Sequence, residues 1–323
     1  MSTGYIPPFT ITDEINGLTA DIAERIGQLT IELGKNMPMP QLRKQNRIKT
    51  IQASLAIENN SLSIEQVTAI LEGKRVLGAP NEIKEVKNAI DAYELLMQLN
   101  PYKEKDMLKA HRLMMADLVK ENGRFRLGDV GVFSGRQCIH LGPPAMRVPI
   151  LINELFSWVK KTKTHPLISS CVFHYEFEFI HPFSDGNGRM GRMWQTLLLM
   201  QWNPIFAWIP VETIVKENQQ AYYAAIAQSD SEASSTPFIT FMLNCLLNAI
   251  KEMQKSNQKS NQKSNQKILD AILENRQITI RELQEIVGLS ESGIKKVIRQ
   301  LREQGLLRRV GGAKGGHWEV VEN

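Results

Sequence analysis

Cysteine is scarce in this chain: its 323 residues include only Cys138, Cys171 and Cys245, an odd number, scattered and without a CxxC pair. That excludes a disulfide frame and a cysteine zinc site, and it fits reduced thiols in a cytoplasmic protein. The six histidines show no metal-ligand spacing either. Long apolar runs are missing too. The best, Thr196 to Val211, is broken by Gln201, Asn203 and Pro204, so no membrane span is expected. The start, Met1 to Pro8, has neither the charged head nor the apolar run of a secretion signal. Most of the chain also lacks a charge of one sign. Residues 1–250 hold 25 Lys+Arg against 25 Asp+Glu, while residues 251–323 hold 14 against 9 and supply the whole +5. Any preference for an acidic partner therefore belongs to the tail. What is present, 42% hydrophobic and 23% charged residues, suits a globular chain long enough for two or three domains.

The richest stretch reads His181-Pro182-Phe183-Ser184-Asp185-Gly186-Asn187-Gly188-Arg189-Met190-Gly191-Arg192. Apolar, helix-like sequence flanks it, with Val172, Phe173, Tyr175, Phe177 and Phe179 upstream and Met193 to Trp202 downstream. A residue before proline is pushed out of the helical region, so one helix should end near Ile180-His181. The glycines let the backbone approach an anion closely. A new helix is expected to start around Asn187–Arg189, with its free N–H groups and positive dipole end facing the loop. Arg189 and Arg192 are three apart, share one helical face and are able to grip one polyphosphate together. Asp185 carries hard oxygens that suit Mg²⁺ held jointly with phosphates. His181 titrates near neutrality and could accept a proton from an incoming hydroxyl. A plain glycine turn with locally paired arginines leaves this coincidence of phosphate-handling residues unexplained.

These twelve residues match HPFx(D/E)GNGRxxR at every fixed position, and in this the chain resembles the Fic-domain family. The resemblance implies an all-helical core over roughly residues 110–250 and transfer of AMP from ATP to a protein Ser, Thr or Tyr hydroxyl, with release of pyrophosphate. Carried onto this sequence, it makes His181 the general base and Asp185 the Mg²⁺ ligand. Asn187 with the backbone of Gly186 and Gly188 would cradle the phosphates, Arg189 would stabilise their charge, and Arg192 would bind the γ-phosphate. Phe183 would be a buried anchor. The transferred group (UMP, GMP or phosphocholine in place of AMP) and the direction of the reaction are not legible from these residues.

Residues 1–35 repeat apolar positions at Ile11, Ile15, Leu18, Ile22, Ile26, Leu29 and Leu33, which predicts an amphipathic packing helix. A second helix is expected over 41–60, ending at Ile57-Glu58-Asn59-Asn60. There Ser54, Glu58 and Asn59 match the (S/T)xxxE(G/N) inhibitory motif of many Fic proteins. The resemblance implies that Glu58 pairs with Arg192, and a carboxylate there would compete with the γ-phosphate for one guanidinium. Ser63-x-x-Gln66 reads as a capping box, and helices are expected over Asn81–Leu99 and Asp106–Val119. His111, on the latter, reads as a packed or surface residue. Residues 125–141 read as a β-hairpin. In the family such a flap receives an extended target segment by backbone pairing, and a plain connecting hairpin is the alternative. Tyr222 and Tyr223 are candidates to line the adenine side, or core.

Three tandem Lys-Ser-Asn-Gln tetrads from Lys255 are too polar to bury, and they read as a flexible linker or a solvated helix extension. Residues 268–323 then resemble a winged helix-turn-helix module, with Lys295, Lys296, Arg299 and Arg302 outside its third helix and Arg308, Arg309 and Lys314 on the wing. Protein docking or dimerisation is expected of it ahead of DNA binding, because Glu291 and Glu303 dilute the charge. The expected fold is mainly α: a Fic-type helical core with a short β-hairpin flap, plus a C-terminal winged helix-turn-helix. The expected divisions are 1–105 with the inhibitory helix, 106–250 as catalytic core, 251–267 as linker and 268–323 as tail. Expected partners are a protein target at the 130–142 flap, the chain itself through self-modification, a homodimer, and as an alternative DNA through 268–323; no membrane is expected. A DNA-binding regulator with a sensing core is the second class of function.

Overall fold

The computed structural model of the chain describes residues 5–33, 40–134, 137–312 and 315–321. The chain divides into two compact units, Met1–Ile250 and Lys251–Asn323. Residues 5–12 of the first unit form a strap without regular structure before α1 (Asp13–Leu33). Thr12 starts that helix by accepting the N–H of Ile15 at 3.2 Å, so Ile11 falls outside it and stays exposed. The strap is tied down: Tyr5 O–H donates to Glu176 at 2.6 Å, and Pro8 O accepts from the Ser235 N–H at 2.9 Å.

Next come α2 (Pro40–Ile57), α3 (Ile64–Leu71), α4 (Pro80–Leu95) and α5 (Glu104–Met114). Ser63 and Gln66 form the predicted capping box on α3. The end of α4 tightens into a 3-10 turn over Leu96–Gln98. α5 stops five residues short of the expected Val119, because the chain turns there and Asp117 takes a left-handed φ of 54°. A two-stranded antiparallel hairpin follows, β1 (Gly131–Ser134) with β2 (Gln137–Leu141), in a register that slips between Val132 and Phe133. Then come α6 (Val148–Lys161), α7 (Pro166–Ile180), α8 (Asn187–Trp202), α9 (Val211–Glu217) and α10 (Gln219–Glu232).

The core centres on α7 and α8, which pack on each other and are buried along nearly their whole length. Phe173, Phe177 and Trp194 are fully buried there, each contributing about 1.5–3 kcal/mol. Gly191 permits the close approach, since a Cβ would meet the Glu178 carboxylate and the His174 ring.

α11 (Thr236–Glu274) carries the Lys-Ser-Asn-Gln tetrads as helix. The second unit continues with α12 (Ile280–Val287), α13 (Glu291–Glu303) and the antiparallel pair β3 (Leu307–Val310) and β4 (His317–Val320). Ile268, Ile272, Leu283, Ile294, Leu301 and Leu307 form its core. Thr279 and Glu282 make a reciprocal cap on α12, Gly288 ends that helix with φ 74°, and Ser290 caps α13. This is the expected architecture: a helical core with a hairpin, and a winged helix-turn-helix. Among the described residues no helix is long and apolar enough to cross a membrane.

Candidate active site

The site is built where α7 stops and α8 starts. His181 leaves the helix in the left-handed region (φ 49°, ψ 62°), which Pro182 after it disallows continuing. Gly186, with φ 84°, then turns the chain into α8, and a Cβ there would strike the Met115 thioether. The first N–H groups of α8, at Asn187, Gly188 and Arg189, have no partners within the helix and face the loop.

Residues far away in sequence brace this loop. Arg126, before the hairpin, is 3% exposed and donates to His181 O (2.7 Å), Gly128 O (2.9 Å), Ile180 O (3.4 Å) and Pro143 O, while its own N–H reaches Pro182 O at 2.9 Å. One guanidinium thus ties the loop to the base of the hairpin. His111 stacks flat on Phe183 with ring centroids 3.6 Å apart. Its Nδ1 accepts the Gly123 N–H at 2.8 Å, which leaves Nε2 to donate to Asp185 O at 3.0 Å. Burial, above all, lowers its pKa to about 4, so the ring is neutral and structural. Asn187 also braces the loop: Oδ1 accepts from Phe183 N and Nδ2 donates to Phe183 O, both at 2.9 Å. It keeps one N–H of its amide and its backbone N–H for a ligand.

Of the two arginines on α8, Arg189 donates to Asp185 Oδ1 at 3.1 Å and to Glu85 Oε1 at 3.4 Å, and its Nε is buried without a partner. Asp185 also accepts the Gly186 N–H at 2.6 Å through Oδ1. Arg192 lies 3% exposed, donating through Nε to Ser54 Oγ (3.2 Å) and through Nη2 to Ser54 O (3.0 Å) and Glu58 Oε1 (2.7 Å). Burial, the largest influence, would lower the Arg192 pKa, but Glu58 beside it, together with Tyr222 and Glu178, more than offsets that and holds it above the ordinary arginine range. The Glu58 carboxylate lies over the start of α8, where a Cβ on Gly188 would run into it.

Glu58 is aimed by the way α2 ends. Asn59 takes φ 67°, a left-handed position that favours Gly or Asn, and the Asn60 N–H folds back to Leu55 O at 3.1 Å. Lys216 and Gln219, around the α9–α10 junction, cap the last carbonyls of α2 at Ala56 (2.7 Å) and Ile57 (2.8 Å). Behind Arg192 lies Glu212, 2% exposed and accepting from the Tyr93 hydroxyl at 3.2 Å. Burial raises its pKa to about 7, against the pull of Arg192 and Arg47. A cavity of about 10 Å³ beside Arg192, Glu212 and Gln195 has room for one water.

His181, Asp185, Gly186, Asn187, Gly188, Arg189 and Arg192 thus share one loop and helix end; Ser54 on α2 and Glu58 just past its end are brought to it, and Asn59 forms the turn that follows. Tyr222 is core, its hydroxyl 3.2 Å from His174 Nε2, whereas Tyr223 is half exposed. The hairpin lies beside α10, and residues 135 and 136 of the expected 130–142 flap, with the side chains of 132–141, lie outside the described residues. Arg126, His111, Glu85, Lys216 and Gln219 carry no sequence signal. In the second unit Lys295 pairs with Glu291 (2.6 Å) and Arg308 with Glu319 (2.6 Å), Arg299 approaches Glu303 (3.9 Å), and Arg309 lies over Trp318. Lys314 lies outside the described residues.

Residues 101–199 match the family model of the Fic/DOC family, and residues 262–308 match that of winged helix-turn-helix DNA-binding domains. A solved structure of a Fic family protein from Desulfovibrio desulfuricans is 44% identical, with a TM-score of 0.76 over 99% of both chains. A Caenorhabditis elegans Fic-1 fragment, at 20% identity and a TM-score of 0.62 over 76% of this chain and 72% of its own, is similar in fold. Among curated proteins, the protein adenylyltransferase Fic of Aedes aegypti is 31% identical over 221 residues, covering 65% of this chain and 42% of the relative. That of Culex quinquefasciatus is 30% identical over 218 residues, covering 64% and 41%. The chain spans less than half the length of these two relatives.

Proposed function

Because the chain belongs to the Fic family, we propose that it is a protein adenylyltransferase that moves AMP from ATP to a protein hydroxyl and is restrained by its own Glu58. One observation carries this reading: two buried guanidiniums, Arg189 and Arg192, lie on the first turns of α8, under a loop headed by His181. The unpaired N–H groups of α8 and the two cations suit a polyphosphate. The partnerless Nε of buried Arg189 awaits an acceptor. In the proposed step His181 takes the proton of the target hydroxyl as its oxygen bonds to the α-phosphorus. The bond from that phosphorus to the bridging oxygen breaks, and pyrophosphate leaves. In-line placement, charge neutralisation and one base suffice for such a transfer. The resemblance also implies Mg²⁺, and the residues fit it. Asp185 is more than half exposed and leaves its second oxygen without a protein donor, as befits an ion that binds one carboxylate together with phosphates and waters. Bound there, Mg²⁺ would neutralise phosphate charge.

Glu58 occupies Arg192, the guanidinium assigned to the γ-phosphate, which supports restraint by direct competition. Incubating the Glu58→Gly protein with labelled ATP, UTP and GTP and searching it, and co-incubated proteins, for a nucleotide adduct tests the reading. Adduct formation from ATP that is abolished in Glu58→Gly/His181→Ala is expected. No adduct from any triphosphate, or one that survives loss of His181, overturns it.

For the second unit we propose docking to a protein ahead of DNA, a reading supported by the carboxylates that already neutralise Lys295 and Arg308. The match to winged helix-turn-helix DNA-binding domains keeps the DNA alternative in play. Titrating the full chain against random duplex at several salt concentrations separates the two, since phosphate contacts impose a steep salt dependence.

A further inference from the structure

Arg189 is held on two sides. Asp185 takes Nη2 at 3.1 Å within the loop, and Glu85 on α4 takes Nη1 at 3.4 Å. Glu85 is itself anchored more tightly than it holds the arginine. Its second oxygen accepts from Asn60 Nδ2 at 2.7 Å. The same amide reaches Glu82 O at 3.1 Å, and its oxygen accepts the Leu62 N–H at 3.1 Å. Asn60 lies two residues beyond Glu58, so one amide fixes both the turn that follows α2 and the carboxylate that faces Arg189.

We propose that Glu85 is a positioning residue for Arg189: anchored by Asn60, it draws that guanidinium away from the phosphate seat and ties it to the segment that carries Glu58. The inference rests on the adenylyltransferase reading for its phosphate. Three carboxylates, Glu58, Glu85 and Asp185, face two guanidiniums in this state. Neither arginine has its full charge to offer, and arriving phosphates must draw Arg189 from one partner. The lengths decide which bond gives way. A 3.4 Å contact to a carboxylate that is 23% exposed is weak and exchangeable, whereas the 2.7 Å bond to Asn60 keeps Glu85 where it is. The orphaned Nε adds a second reason, for a buried donor without a partner costs free energy until an acceptor arrives. Glu85 is thus for Arg189 what Glu58 is for Arg192, and Asn60 links the two restraints.

The test uses the full-length protein and a readout that needs no nucleotide. The Nε–H resonance of Arg189, assigned by its loss in Arg189→Lys, reports the surroundings and rotation of that guanidinium. Glu85→Gln keeps size and an oxygen for Asn60 while removing the charge. It should shift the resonance and speed rotation, and Asn60→Ala should move it the same way. In the Glu58→Gly background, Glu85→Gln should tighten ATP binding about three- to tenfold by calorimetry, an advantage that shrinks in salt. An unmoved resonance in Glu85→Gln overturns the proposal, whether or not the chain binds ATP. A response to Glu85→Gln without one to Asn60→Ala overturns the link to the Glu58 segment. ATP affinity unchanged or weakened, in a parent that does bind ATP, overturns the competition with phosphate. A parent that fails to bind ATP sinks the adenylyltransferase reading, and the resonance alone then decides on Glu85.

Discussion

Replacing Glu58 by Gly removes the carboxylate on Arg192 and should move activity and stability in opposite directions. The Nη2···Oε1 distance is 2.7 Å, with Arg192 buried and Glu58 one-third exposed. A charge-assisted hydrogen bond in such a place is worth about 1.5–3 kcal/mol. In the proposed reading the γ-phosphate must displace it, so its loss should raise AMP transfer at subsaturating ATP by about 10- to 100-fold, at 1.4 kcal/mol per tenfold. Without nucleotide the same change leaves a buried cation short of a partner. Ser54 still supplies two acceptors and Glu212 lies behind, so the cost should stay near about 1–2 kcal/mol, below that of breaking a fully buried pair. A loss of a few degrees in Tm is expected, about 2–4 °C per kcal/mol for a unit of this size. ATP should restore it by mass action. Glu58→Gln keeps the shape and a neutral acceptor, so it should fall between wild type and Glu58→Gly in both respects. The assay is label transfer at matched, subsaturating ATP beside thermal unfolding with and without ATP. Equal transfer by all three proteins would refute competition at Arg192. Glu58→Gln indistinguishable from wild type, beside an active Glu58→Gly, would show that bulk and not charge does the blocking.

Three further outcomes are expected. His181→Ala in the Glu58→Gly background should abolish transfer while ATP binds within a few-fold of its parent by calorimetry; parallel loss of binding would remove His181 from the role of base. Gly188→Ala should cost about 1–3 kcal/mol by overpacking against Glu58, and most of that cost should vanish with Glu58→Gly; an equal cost in both backgrounds would show that the carboxylate is not what fills the space. Glu176, beneath the strap, has its pKa raised to about 7, first by burial and against the Tyr5 hydrogen bond. An unfolded glutamate titrates near about 4.3. The stability this group contributes is therefore complete below that value and lost as pH rises through about 7. Glu176→Gln should lose less Tm than wild type between about pH 5 and pH 7, and parallel curves would contradict the shift.

How legible each part was follows from how local its chemistry is. The loop could be read because its base, carboxylate, glycines and arginines are contiguous, and because Pro182 and Gly186 dictate where α7 stops and α8 starts. Glu58 could be read through a short motif whose last position, Asn59, is explained by a left-handed φ. The supports could not. Arg126 and His111 reach the loop from 55 and 74 residues away, and an arginine before a hairpin or a histidine on a helix carries no mark of the carbonyl it will meet. Asn187 could be read only in part: its type suggests a phosphate ligand, while the bonds that one donor and its oxygen make to the backbone of Phe183 carry no mark in the sequence. Tyr222, one of two adenine candidates, is spent on the core because α10 buries that face against His174. Helix ends erred where a turn overrode periodicity, as at Ile11 before Thr12 and beyond Met114.

In the proposed reading, the aim of Glu58 at Arg192 depends on where α2 ends. A carboxylate one residue earlier on a continuing helix would point about 100° around the axis, off the guanidinium. Asn59 breaks the helix at that point, and Lys216 and Gln219 then satisfy carbonyls that would otherwise be left bare. Lys216→Ala removes the bond to Ala56 O without touching Glu58, Arg192 or the loop. If termination of α2 is what aims Glu58, this variant should lengthen the residence of Glu58 off Arg192 and raise AMP transfer a few-fold, while Lys216→Ala combined with Glu58→Gly should add nothing to Glu58→Gly alone. The double variant separates the alternatives: an added gain beside Glu58→Gly would mean that Lys216 acts on the nucleotide directly, and no gain in either background would mean that α2 is held by its own packing.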